Sequence, residues 1–136
     1  MNFYKTKYKN ISIDFDGVIH GYSKGRQDGI PYDKPKEGAI ESLIELYRMG
    51  LNIIIFTSRP ESEFQMVEDY IRSYLTDIYK NIPLFVTNKK HACVAYIDDR
   101  AIHFTNWKQT MNDTVKQIDD YIKEHAIYGE MFKEDK

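Results

Sequence analysis

Four short apolar runs punctuate the chain. Residues 11–15 alternate Ile11, Ile13 and Phe15 with polar neighbours, 52–56 read NIIIF, 83–87 read PLFVT and 93–97 read CVAYI. Runs of this length, rich in β-branched and aromatic side chains, predict strands. The second is almost continuously apolar, which predicts cover on both of its faces. Between and after these runs the period becomes helical. In 35–49, Ile40, Leu43, Ile44 and Tyr47 fall on one stripe, with Pro35 suited to a first helical turn and Gly50 to a stop. In 60–79 the stripe is Phe64, Val67, Ile71, Tyr74, Leu75 and Ile78, and Ser58 with Glu61 has capping-box spacing. A last helix is predicted over about 107–125, with Met111, Val115, Ile118 and Ile122 on one face and Asn106 and Gln109 as cap residues.

Strand alternating with helix predicts an α/β fold: a three-layer, Rossmann-like core with a mostly parallel sheet and helices on both faces. At 136 residues the chain is expected to be a single domain, 1–136. The one long irregular segment, 21–34 (GYSKGRQDGIPYDK), follows the first strand. It is expected to form a turn and a small hairpin acting as a flap of about 19–35.

Ligands bind such sheets beyond the carboxyl ends of the strands. The first strand there ends in Asp14-Phe15-Asp16 and the second in Thr57-Ser58-Arg59; the third leads to Lys89-Lys90 and the fourth ends in Asp98-Asp99-Arg100. Carboxylates, hydroxyls and ammonium groups thus gather on one rim. A phosphoryl group carries two negative charges near neutral pH, and a carboxylate attacks it only once that charge is neutralised. A divalent magnesium ion held by further carboxylates does this and aligns the phosphoryl oxygens. Asp14, Asp98 and Asp99 are the candidate metal ligands, with the backbone carbonyl of Asp16 as another oxygen donor. Asp14 and Asp16 start on one face of a strand, and Gly17 lets the chain curl after them. One aspartate then serves as nucleophile and the other as acid and base. Thr57 or Ser58 supplies a hydroxyl to a phosphoryl oxygen, and Lys89 or Lys90 supplies positive charge.

The order Asp-x-Asp-Gly-Val, strand-Thr, Lys, strand-Asp-Asp resembles the haloacid dehalogenase (HAD) superfamily of phosphohydrolases over nearly the whole chain, from about Ile11 to Trp107. That resemblance implies that Asp14 forms an aspartyl-phosphate, that Asp16 is the general acid and base, that Thr57 is the hydroxyl, and that Lys90 is the lysine in preference to Lys89. Asp98 and Asp99 become the metal-binding pair, and which of them ligates directly stays open. The stretch NKKHACVAYIDDRA further resembles a small capless subgroup, although His91 stands where that subgroup has proline. No segment is long enough for a large cap domain. A capless member implies an open site, suited to a large phosphorylated substrate or completed by a second copy of the chain.

Bulk properties narrow the classes. The net charge of −2 gives no general pull toward nucleic acid or anionic membrane, so nucleic acid enters only as a substrate. No apolar run has the length of a membrane span, and the N-terminal residues lack the apolar core of a signal peptide; a cytoplasmic protein is expected. The single cysteine, Cys93, reads as a small core residue. Arg59 and Arg100 stand beside the rim, either as phosphate or substrate ligands or as structural ion-pair partners. Lys24 and Arg26 have the same two readings, with solvated loop cations favoured, and His20 is a candidate contact for the leaving group. Phe104 and Trp107 are expected to anchor the last helix on the core. The leading expectation is a magnesium-dependent phosphomonoesterase. Its alternatives are a nucleic-acid-end (3′-phosphate) or nucleotide phosphatase, a phospho-acceptor domain and a non-catalytic binding module.

Overall fold

The computed structural model describes residues 9–27 and 29–124. Among the described residues the protein is α/β, with a four-stranded sheet and three α-helices. The strands are β1 (Asn10–Asp14), β2 (Asn52–Phe56), β3 (Leu84–Thr87) and β4 (Ala95–Ile97). The helices are α1 (Ala39–Arg48), α2 (Phe64–Tyr74) and α3 (Trp107–Glu124). Single 3₁₀ turns at Glu61–Glu63 and Asp77–Tyr79 flank α2. By compactness the chain divides into two units, Met1–Asp99 and Arg100–Lys136.

In the first unit every strand pairing is parallel and the spatial order is β3-β2-β1-β4. The continuously apolar run is buried at Ile53, Ile54 and Ile55, so both faces of β2 are covered as its composition predicts. Side chains alternate along each strand. One face therefore presents Ile11, Ile13, Ile53 and Ile55, which join Ile40 and Leu43 of α1 and Val67 and Ile71 of α2 in a single core. Of the helices expected on both faces, α1 and α2 share one. Handedness explains this: β1-α1-β2 and β2-α2-β3 step across the sheet in the same direction, and two right-handed crossovers in one direction place both helices on one side. The return from β3 to β4 spans only 88–94 and contains no helix.

Local boundaries shift for physical reasons. Helix α1 starts at Ala39 rather than at Pro35, because Pro35 bridges His20 and the Lys36 amide donates to the Ile19 carbonyl at 2.8 Å. That pairing holds 35–36 extended, and Gly38, at φ +82, turns the chain into the helix. The expected stop holds: the Gly50 amide returns to the Tyr47 carbonyl at 2.9 Å. The capping box of Ser58 and Glu61 does not form; Pro60 precedes the first turn, and no side-chain cap bond is made there. The expected hairpin within 21–34 is also missing among its described residues. Side chains satisfy the backbone there instead: the Ser23 amide donates to Asp33 Oδ2 and the Lys24 amide to the Tyr32 hydroxyl.

In the second unit the amide of Gln109 donates to Asn106 Oδ1 at 2.9 Å, the predicted cap of α3. Phe104 and Trp107 meet edge to face, but both are more than half exposed, at 54% and 70%, so neither is the core anchor expected. Met111, Val115, Ile118 and Ile122 are exposed as well. Cys93, on the β3–β4 connection, is only half-buried. None of the described helices is long and apolar enough to cross a membrane.

Candidate active site

Chain order reverses direction at β1. From it β2 and β3 run to one side, while β4 lies on the other. This is the topological switch point at which parallel α/β sheets open a crevice at their carboxyl ends. The β1–β4 register pairs Ile13 with Ile97, so the next residues along the two strands are Asp14 and Asp98. A carboxylate oxygen from each of Asp14, Asp98 and Asp99 lies within 4.8 Å of the other two. Oxygens that ligate one hard cation at about 2.0–2.6 Å fall within roughly 4–5 Å of each other, so this set fits a magnesium- or calcium-like ion.

The charge pattern agrees. The Asp14 carboxyl is pushed up to about 7, first by its burial and then by Asp98 and Asp99, against the lowering effect of the Phe15 amide that donates to its Oδ1 at 3.1 Å. Gly17 keeps the corner open. Its φ is +87, and a Cβ there would lie 2.8 Å from Asp99 Oδ2. Its amide is spent on the His20 carbonyl at 2.9 Å.

Asp16 has a different setting. After β1 the chain wraps around the Phe15 carbonyl, which accepts the amides of Val18, Ile19 and His20. The turn carries Asp16 away from the acidic cluster and onto Arg59. The guanidinium donates Nε to Asp16 Oδ2 and Nη2 to Asp16 Oδ1, both at 2.9 Å. His20 Nδ1 lies 2.8 Å from the same Oδ1. Arg59 is 3% exposed; its Nη1 also reaches Glu63 Oε1 at 3.0 Å and the Gly29 carbonyl. Burial lowers the guanidinium's affinity for its proton, but bonds and attraction from Asp16 and Glu63 outweigh that and raise it overall. Of the two readings of Arg59, the geometry is that of an ion pair.

Thr57 is buried at the exit of β2, and its Oγ1 accepts the Arg59 amide at 3.1 Å. Its hydroxyl hydrogen is left to donate elsewhere. The neighbouring strand repeats the turn: Thr87 Oγ1 accepts the Lys89 amide at 3.1 Å. Ser58 is exposed. Lys89 and Lys90 are both exposed, and the Lys90 ammonium rests over the Tyr96 ring, 5.0 Å from its centroid. Arg100 belongs to the second unit, where its guanidinium lies over Tyr121. The structure thus brings Asp14, Asp98 and Asp99 together and ties Asp16 to Arg59.

One participant was not singled out from sequence. Glu63 shares Arg59 with Asp16, and the i, i+4 spacing of Arg59 and Glu63 was the available signal. His20, a candidate leaving-group contact from sequence, is fully buried and meets Asp16 instead. No protein-family model, curated protein or solved structure matches the chain.

Proposed function

We propose that this protein is a magnesium-dependent phosphomonoesterase of the HAD type that works through an aspartyl-phosphate on Asp14. The observation that carries the reading is the clustering of the Asp14, Asp98 and Asp99 carboxylates at the switch point of a parallel sheet. Three carboxylates in one corner repel one another, and such a corner makes chemical sense around a cation. The ordered motifs Asp14-x-Asp16-Gly17-Val18, Thr57, Lys89-Lys90 and Asp98-Asp99 support it.

In this mechanism Asp14, Asp98 and Asp99 would hold the magnesium ion. When bound, the ion neutralises phosphoryl charge and orients the phosphoryl oxygens. An Asp14 carboxylate oxygen attacks phosphorus, forming a new P–O bond as the bond to the ester oxygen breaks. Asp16 delivers a proton to that departing oxygen. In the second half-reaction it takes a proton from the water that attacks phosphorus, which returns Asp14 and releases phosphate. With three donors upon it, Asp16 has the acceptor geometry of the second step; acting as the acid of the first requires its carboxylate to take up a proton and give up at least one of these bonds. Thr57 donates its hydroxyl hydrogen to a phosphoryl oxygen, and Lys90, with Lys89 beside it, supplies positive charge.

Hydrolysis of an aryl phosphate, followed with and without magnesium, tests the reading. Asp14→Asn is expected to lose at least about 10³-fold in kcat. Undiminished turnover by that variant, or equal turnover with chelator and with magnesium, defeats it. The same assay over sugar phosphates, nucleotides and 3′-phosphorylated oligonucleotides sorts the substrate classes.

A further inference from the structure

We propose that His20 is a positioning residue: one buried imidazole fixes both the aim of the Asp16 carboxylate and the conformation of the 21–34 loop. The loop is then a standing wall on the Asp16 side of the site, not a flap that opens and closes.

The tautomer follows from the partners. His20 Nε2 lies 3.1 Å from the Tyr32 amide nitrogen and 3.1 Å from that of Asp33. Backbone amides only donate, so Nε2 is the acceptor and the ring proton sits on Nδ1. Nδ1–H therefore donates to Asp16 Oδ1 at 2.8 Å. The ring has no freedom to turn away. It is fully buried, stacked on Phe15 at 5.6 Å and edged by Tyr32 at 4.9 Å, Tyr70 at 5.5 Å and Tyr22 at 5.8 Å.

The far limb of the loop is held from two more directions. Arg59 Nη1 donates to the Gly29 carbonyl while the rest of its guanidinium grips Asp16. Gly29 has φ +81, and a Cβ there would meet Glu63 Oε1 at 2.7 Å, so the backbone is seated directly on that pair. The Tyr70 hydroxyl of α2 donates to the Asp33 carbonyl at 2.6 Å. The near limb closes on the far one through Gly21 to Lys34 and Ser23 to Asp33. Loop and carboxylate thus share His20 and Arg59, each of which meets Asp16 through one group and the loop through another.

Two substitutions separate the ends of the ring. Asparagine places an amide donor near the position of Nδ1, and glutamine places a carbonyl acceptor near that of Nε2. The loop arm reads trypsin cleavage after Lys24 or Arg26, which follows the population of the opened loop. His20→Gln is expected to keep slow cleavage and KM while kcat falls about tenfold. His20→Asn is expected to keep kcat while cleavage accelerates about tenfold and KM rises. Tyr70→Phe, which removes a hydroxyl bond to the loop and keeps the ring against His20, is expected to accelerate cleavage with kcat unchanged. Identical behaviour of the two His20 variants, whether both like the wild type or both impaired in the same way, overturns the proposal. The kinetic arm rests on the phosphatase reading, and the cleavage arm does not. If the wild type hydrolyses no phosphomonoester, that reading fails, and the cleavage rates alone still decide whether His20 holds the loop.

Discussion

Two corners of the same rim, reached from aspartates two residues apart, solve opposite electrostatic problems. At the Asp14 corner three carboxylates face one another, and the chief counterweight at Asp14 is one backbone amide. At the Asp16 corner one carboxylate receives an arginine fork and an imidazole, with Glu63 completing the arginine's shell. The first corner is left under charge repulsion that a cation relieves, while the second is already neutralised by the protein. A repeated residue type in a short motif thus carries no fixed role. The turn around the Phe15 carbonyl sends one carboxylate to the β1–β4 crevice and the other to the β2 exit.

The comparison breaks most sharply at Arg59. Replacing it with methionine leaves Asp16 and Glu63 partly buried without their partner, and is expected to lower unfolding free energy by about 3 kcal/mol in urea titrations. A loss below about 0.5 kcal/mol would show that the second corner is solvated rather than neutralised by the protein.

The Asp14 corner is expected to respond in the other direction, through pH. In the folded protein Asp14 titrates near 7, above its ordinary value of 3.8, so the folded state holds this proton more tightly than the unfolded chain. The associated stability is complete below about pH 4 and is lost as pH rises through 7. With chelator present, thermal melts should therefore show a decline over that interval which Asp14→Asn flattens. Magnesium should restore the wild type at pH 7 and leave the variant largely unmoved. A decline of equal size in the variant would assign the effect to other groups.

The smallest effect is expected at the β2 exit. Ser58→Ala should change stability by less than about 0.5 kcal/mol, because the exposed hydroxyl makes no cap bond. Thr57→Val removes a buried acceptor of the Arg59 amide and should cost about 1 kcal/mol. Chemical denaturation of the two variants side by side distinguishes these.

Much of this was legible in the sequence. The strands, their parallel arrangement and the gathering of Asp14, Thr57 and Asp98-Asp99 on one rim follow from local periodicity plus the rule that sites lie at carboxyl ends. What the periodicity could not carry was long-range. The bond between Arg59 and Asp16 joins residues 43 apart, and only the folded sheet brings them together. The start of α1 was misplaced because Pro35 looks like a helix opener in isolation, whereas its neighbour Lys36 is claimed by Ile19. The loop was read as a hairpin flap from its Gly, Pro and charge content, yet Asp33, Tyr32 and His20 give its backbone the partners that a hairpin ladder would have provided.

One consequence concerns β4. Among the described strands it is the shortest and lies at an edge of the sheet, and Ala95, Tyr96 and Ile97 are all exposed, whereas its neighbour β1 is buried at Ile11, Ser12 and Ile13. An ion shared by Asp14 and the Asp98-Asp99 pair would rivet the most exposed strand of the sheet to a buried central one. Binding would then register as mechanical order: slower amide exchange along β4, at concentrations that track occupancy, before any substrate arrives.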